Sequence, residues 1–529
     1  MRLPYAKHKD SPAQVRTIDF KGYCVKPIIA DGQMRDMKNL SSDGYPNMTQ
    51  RKMRRVVETK YANPSNIASR KDKLVVVDGK NFYYDGLKIS GDLMVGEKQI
   101  ASINSKICIF PDKKYYDTVD GEFGSLDASC SVETSTDVYI KVSSNALIIS
   151  GATFEGFKAG DAVKIEGFTK NKANNLSAIL ASASEKMLEF APDTFTVLES
   201  DTTYNKNDKN YKEGGNISIT RTAPDLDFVM EYNNRLWGCS GSTIYASKLG
   251  DPTNWNYFNG LSMDSYAVDV GSDGDFTGCA ATPSHLVFFK DNVLHKLYGS
   301  KPSNFQTMDM KADGVQKGCE NSLCLINGIL YYKSRNGIMA YESGVPECIS
   351  YDLGDEKFRE AAAGTDGVKY YISMQKVADE SWHLFAFDPR NGMWHREDET
   401  RAHQFAYCSG VLNYIDAATG KIMATSGGTD EKIQWYAQLG EFIEYSEDKK
   451  IYSKIKARMK LDAGARVNIS VSVDGGEFVL ASTVQAQSER VAYVPIIPIR
   501  CDRFSIRLDG VGGCKVESIV REYIPGSEV

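Results

Sequence analysis

The sequence predicts an all-β protein: a six- or seven-bladed β-propeller with an inserted small β-barrel or sandwich and a C-terminal β-sandwich. The first observation is the stretch Asp227–Phe258. There Phe228, Met230 and Tyr232 alternate with polar residues, Asn233-Asn234 turns the chain, Leu236-Trp237 resumes it, and Ser240-Gly241-Ser242 turns it again before Ile244-Tyr245. Alternation at period two marks half-buried strands, and Asn and Gly tolerate the positive φ of tight hairpins. The second observation is recurrence. Comparable meanders begin near Phe228, Cys279, Ser322, Ala361 and Phe405, about 40 to 50 residues apart, the interval of four-stranded blades stacked round an axis. The third is the scarcity of helical periodicity, with Glu356–Ala363 the best short helix candidate.

In chain order, residues 1–65 form an extended N-terminal arm ending in Arg51-Lys52-Met53-Arg54-Arg55, four positive charges in five residues. Such a run is either a solvated edge or a patch that meets a neighbouring subunit or phosphate, so Arg51, Lys52, Arg54 and Arg55 are candidate subunit contacts. Residues 66–123 hold the first blades, in the hairpins Lys73–Tyr84 and Ala101–Tyr115. Residues 124–224 interrupt the series with a β pattern of their own at Val138–Val142, Ala146–Ile149, Phe157–Phe168 and Ser184–Phe190, while Thr203–Gly215 reads as a polar loop. Both ends of such an insertion leave one surface position, which makes it inexpensive. Residues 225–437 continue the blades, with Asn327-Gly328 and Asn336-Gly337 as the strongest hairpin signals. Residues 438–529 change rhythm: Lys454–Leu461 and Val467–Val473 alternate strictly and Asp474-Gly475-Gly476 turns, as in a separate sandwich.

Composition bounds the chemistry. The chain has 529 residues, 42% hydrophobic and 11% aromatic, enough for several cores. Met1–Asp10 lacks the apolar stretch of a signal peptide, and the longest apolar run, near Val491–Ile499, is broken by Pro495 and Pro498, so no membrane association is expected. Eleven cysteines without a CxxC, and no His at ligand spacing, predict buried thiols and neither metal nor cofactor. A net charge of −6 argues against general nucleic-acid affinity but suits a wall past which DNA slides.

Catalytic residues are not expected. His285 and His295 lie on opposite legs of a predicted hairpin, where they can face each other as a structural pair. Asp273, Asp275 and Asp366 read as turn residues, and Ser472–Phe478 resembles an Asp-box hairpin, itself a structural turn. Trp237, Trp255, Trp382, Trp394 and Trp435 sit at regular places in strands, where core packing is favoured over sugar stacking.

The combination Arg235-Leu236-Trp237, Ile244-Tyr245-Ala246-Ser247 and Gly250-Asp251-Pro252-Thr253-Asn254-Trp255 resembles tail proteins of tailed bacteriophages. It is most similar to the nozzle family of short-tailed phages, which includes tail tubular protein B and the packaged-DNA stabilisation protein or tail hub. Asp36-Met37, Asn39-Leu40-Ser41, Tyr45-Pro46 and Arg51 resemble the lead-in of such propellers, and Gly156-Phe157, Gly160-Asp161, Val163 and Gly167-Phe168 resemble a small β-domain inserted in tail proteins. The resemblance implies a virion component of the tail or neck, assembled in the host cytoplasm as a homo-oligomeric ring, a hexamer. It implies portal, adaptor and other tail proteins as partners, and genomic DNA passing through the channel without specific binding. A tail-tip glycan-binding or glycan-cleaving propeller is the alternative.

Overall fold

The computed structural model describes residues 12–132, 138–141, 145–149, 153–207, 210–213, 216–429, 432–444, 448–485 and 490–526; Met1–Asp10 and Val142 lie outside them. Among the described residues every regular element is a β-strand or a short 3-10 turn. The chain divides into two compact units, residues 75–315 and residues 1–74 with 316–529.

Seven four-stranded antiparallel sheets follow one another along the described chain, spanning 64–90, 99–125, 228–269, 278–311, 324–348, 358–398 and 402–424. The unit boundary falls inside the strand Lys73–Asp78 of the first. The seventh takes its fourth strand from the N-terminal segment, Arg55–Glu58, laid against Lys421–Ala424. The turns are those the residues favour: Asn233 and Asn234 have φ of 50° and 59°, and Asn327 and Gly328 of 51° and 85°, the left-handed pair that matches strand twist. In the unit 75–315, the first strands of the second, third and fourth sheets lie side by side. The other unit has the same arrangement in its fifth, sixth and seventh sheets, with Pro64–Arg70 beside Ala402–Cys408.

The expected helix Glu356–Ala363 is instead covered by a strand, Phe358–Thr365. This is a first strand, packed between those of the fifth and seventh sheets. Its run Ala361-Ala362-Ala363-Gly364 is small because space is short: a Cβ at Gly364 would lie 2.4 Å from the Phe405 Cβ. Helix propensity yields to tertiary packing there. The expected polar loop Thr203–Gly215 likewise contains a strand, Asn210–Glu213, paired with Val138–Lys141.

The inserted module, residues 128–221, is one eight-stranded sheet. Its incoming strand Ala128–Val132 pairs with its outgoing strand Ile217–Arg221, so the two ends leave together. Phe154, Val163, Ile165, Leu188, Phe190, Ile217 and Ile219 fill its core.

The C-terminal sandwich is larger than residues 438–529. Its two six-stranded sheets also take Gln434–Leu439 and the short strands Ala13–Thr17, Gly22–Tyr23, Gln33–Lys38, Leu40–Ser41 and Met48–Gln50. Residues 1–65 are therefore not an extended arm throughout. Met34, Met37, Leu40 and Met48 are buried with Trp435, Tyr452, Val467, Phe504 and Val516 in one apolar core, and burying such side chains contributes about 1.5–3 kcal/mol each.

Candidate functional site

The residues of the resemblance motif converge on one buried polar node in the unit 75–315. Arg235 is 1% exposed. Its guanidinium donates to the carbonyls of Ser247 and Ser262, each at 2.7 Å, and to that of Asp264, so one side chain fixes the long excursion after Thr243–Ala246. The adjacent Leu236 and Trp237 are core residues of the third sheet.

Gly250, at φ 72°, starts a tight turn, and Asp251 organises it. The Asp251 carboxylate accepts from the Thr253 N–H at 3.1 Å, the Thr253 hydroxyl at 2.7 Å and the Asn254 amide at 2.6 Å. The Trp255 indole N–H closes back onto the Pro252 carbonyl at 2.8 Å, and the ring is buried. Burial would raise the Asp251 pKa, but the Lys158 ammonium at 3.0 Å and these hydrogen bonds outweigh it and hold the carboxyl at about 2.

The turn is also where the inserted module is held. Asn254 Oδ1 accepts from the Ala162 N–H at 3.0 Å, and Asn254 Nδ2 donates to Asp161 Oδ1 at 3.2 Å. Asp161, fully buried, is paired with buried Arg221, which also donates to the Gly156 carbonyl at 2.9 Å. Lys248 lies 3.8 Å from the centre of the Tyr257 ring and donates to the Gly160 carbonyl at 3.4 Å. The node binds the protein to itself: the side chains of Asp251, Asn254, Asp161 and Arg221 are engaged within the chain in joining module to meander.

No family model matches the chain, and no curated protein matches it. Among solved structures, Kluyveromyces lactis Hsv2 is 12% identical, with 71% of this chain and 93% of that one covered at a TM-score of 0.30. An exo-beta-1,3-galactanase from Phanerochaete chrysosporium is 9% identical, covering 89% and 100% at 0.19. The carbohydrate-binding module TmCBM61 is 13% identical, covering 21% and 68% at 0.15. With every TM-score below 0.5, these likenesses establish no shared fold.

The basic run does not stand together on the surface. Arg54 is clamped between two carboxylates, at 2.7 Å from Glu397 and 2.8 Å from Asp398, and donates to the Thr400 hydroxyl at 2.6 Å. Arg51 reaches Asp398 at 3.3 Å and the Asn39 side chain at 2.7 Å. These two candidate contacts are spent within the chain, because the acidic Glu397-Asp398 pair ends the sixth sheet directly beneath them. Lys52 and Arg55 are exposed.

Nor do the two histidines of the fourth sheet face each other. His285 stacks on Tyr298 at 4.8 Å, whereas His295 lies between Ser272 and Asp309. Among the described residues no group of three or more His, Cys, Asp or Glu side chains could hold a metal ion. All eleven cysteines are unbridged. No helix of the described chain is long and apolar enough to cross a membrane. Trp237, Trp255, Trp394 and Trp435 are buried, and Trp382, partly exposed, has the Arg401 guanidinium 4.7 Å from its ring centre. Asp366 caps its own turn through the N–H groups of Val368 and Lys369. Asp474 of the Asp-box-like hairpin accepts from the N–H groups of Asp502 and Arg503.

Proposed function

We propose that this chain is a structural subunit of a bacteriophage tail or neck, a seven-bladed propeller that packs with its copies into a hexameric ring round the DNA exit channel. The observation that carries the reading is the repeated four-stranded meander whose first strands lie side by side within each unit, together with a module fastened through the motif that resembles nozzle proteins. A fourth strand borrowed from the N-terminal segment suits a wheel sealed by its own chain ends. The net charge of −6 suits a wall that does not hold phosphate.

Self-association is supported by the open side of the sandwich. Val479–Gln485 and Arg490–Cys501 are the edge strands of their sheets, and they present Leu480, Tyr493, Ile497 and Ile499 to solvent at 58%, 66%, 81% and 48% exposure. Apolar edges of this kind invite pairing with another chain. The occupant on this reading is the adjacent copy, with Lys52 and Arg55 as further contacts and the portal or adaptor as the partner at one end of the ring. Trp237, Trp255, Trp394 and Trp435 are committed to cores, so these four indoles do not serve the alternative of glycan binding.

Mass photometry and electron microscopy of the purified chain, alone and with a portal-side protein, test the reading. Closed rings are expected, weakened by Ile497→Glu. A chain that stays monomeric at high concentration in both conditions overturns it.

A further inference from the structure

We propose that Ser272, His295 and Asp309 form a nucleophilic triad able to cleave short acyl esters, an activity beyond the structural role above and independent of it. His295 and Asp309 are directly opposed partners in the ladder between Val293–Tyr298 and Gln306–Lys311. Their side chains meet at 2.6 Å, His295 Nδ1 to Asp309 Oδ1. The other ring nitrogen, Nε2, lies 2.7 Å from the Ser272 hydroxyl. A carboxylate that accepts from Nδ1–H leaves Nε2 as the proton acceptor for the serine, which is the division of labour that activates a hydroxyl nucleophile.

The surroundings hold this geometry. The His295 ring is fully buried, with the Phe276 ring edge-on at 6.1 Å. Lys290, also buried, donates to the Ser272 carbonyl at 2.7 Å and fixes the loop from behind. Outward, the loop is open. Gly271 and Gly274 flank the serine, and a Cβ at either would meet nothing within 4 Å. The backbone N–H groups of Ser272, Asp273 and Gly274 lie on this loop beside the serine hydroxyl and are the candidate donors to a developing oxyanion. Ser272 is partly exposed on this loop, and the substrate class proposed is a short acyl ester of an alcohol, such as an acetyl ester.

In the acylation step Ser272 Oγ bonds to the ester carbonyl carbon and its proton passes to His295 Nε2. The carbonyl–alkoxide bond then breaks and the leaving alcohol takes that proton. Water, deprotonated by the same nitrogen, attacks the acyl-serine, releasing the carboxylic acid and restoring the hydroxyl. Ser272 and His295 touch the reacting atoms. Asp309, its side chain 61% exposed, is a positioning residue.

The test uses the full chain with a fluorophosphonate probe and with p-nitrophenyl acetate. An adduct mapped to Ser272 is expected, absent from the heat-unfolded protein. Ser272→Ala is expected to lower ester hydrolysis at least about 100-fold without changing the melting temperature, and Asp309→Asn to lower kcat about 10-fold with KM unchanged. Absence of an adduct at Ser272, or hydrolysis undiminished in Ser272→Ala, overturns the proposal. Ring assembly is read separately, so either conclusion can fail alone.

Discussion

Two polar clusters each tie an incoming segment to a sheet, and they do so with different chemistry. At the N-terminal clamp, Arg51 and Arg54 meet Glu397 and Asp398, charge against charge in a largely buried place. At the module node, the full charges of Asp161 and Arg221 are matched inside the module, and the meander reaches them through the neutral amide of Asn254. A charge clamp is hard to break, because removing one partner strands the other out of water. An amide contact is selective at lower cost, since the charge it touches is already paired. A short N-terminal segment with little apolar surface is held by largely buried ion pairs, whereas a module with its own core is oriented by the Asn254 amide and by a half-exposed pair, Lys158 to Asp251 at 3.0 Å.

The largest effect expected of a substitution is at the clamp. Arg54→Ala should destabilise the unit containing residues 402–424 by about 3–5 kcal/mol, read by chemical denaturation, because Glu397 is left buried without its main partner. A loss below about 1 kcal/mol would erase the distinction between the clusters. Acid should separate them next. Burial, with Lys369 nearby, lowers the His395 pKa to about 4, so the unfolded chain binds a proton that the native chain refuses. Stability near the clamp is full above the ordinary histidine pKa of about 6.5 and falls as pH drops toward 4, by up to about 3 kcal/mol.

The node should outlast that window. With Asp251 held at about 2, its contribution of about 2 kcal/mol is complete above the usual carboxylate pKa of about 4 and disappears only as pH falls toward 2. Hydrogen exchange at pH 5 should therefore quicken around 393–398 before it does around 156–162. The opposite order would contradict the assignment. Asn254→Ala should cost about 1–3 kcal/mol, because the Ala162 N–H loses its acceptor in a buried place, with faster exchange in 156–166 and little change in the sixth sheet. Smallest of all, Lys52→Ala should stay within about 0.5 kcal/mol in thermal melts, since its side chain is exposed.

Much of the repeat was legible because hairpin turns have local chemistry. Asn233-Asn234 and Asn327-Gly328 mark their hairpins without help from the rest of the fold, and the meander starts near Phe228, Cys279 and Phe405 lie within a few residues of observed strands. The N-terminal strands were not legible. Leu40–Ser41 and Gly22–Tyr23 are two residues long, too short for any periodicity; they pair locally with Met48–Gln50 and Gln33–Lys38, and those neighbours join strands hundreds of residues away. The motif residues could be picked out, but not their task, since nothing local says that Asn254 will meet Ala162. Ser272, His295 and Asp309 were missed as a group because their meeting depends on one strand register and one loop. Asp309, in the largely exposed run Gln306–Lys311, reads as ordinary surface.

The seventh sheet has a consequence for biosynthesis. Arg55–Glu58 is translated early, yet the strand it completes, Lys421–Ala424, emerges more than 360 residues later. At roughly 5–20 residues per second, the ribosome leaves that early strand without its mate for on the order of half a minute. Met34 and Met37 wait longer still, because the core they enter is finished only when Val516 has been made. The nascent chain must therefore keep residues 34–58 soluble until Val516 has been made, and chains interrupted before Val516 should leave that segment unfolded and open to proteases.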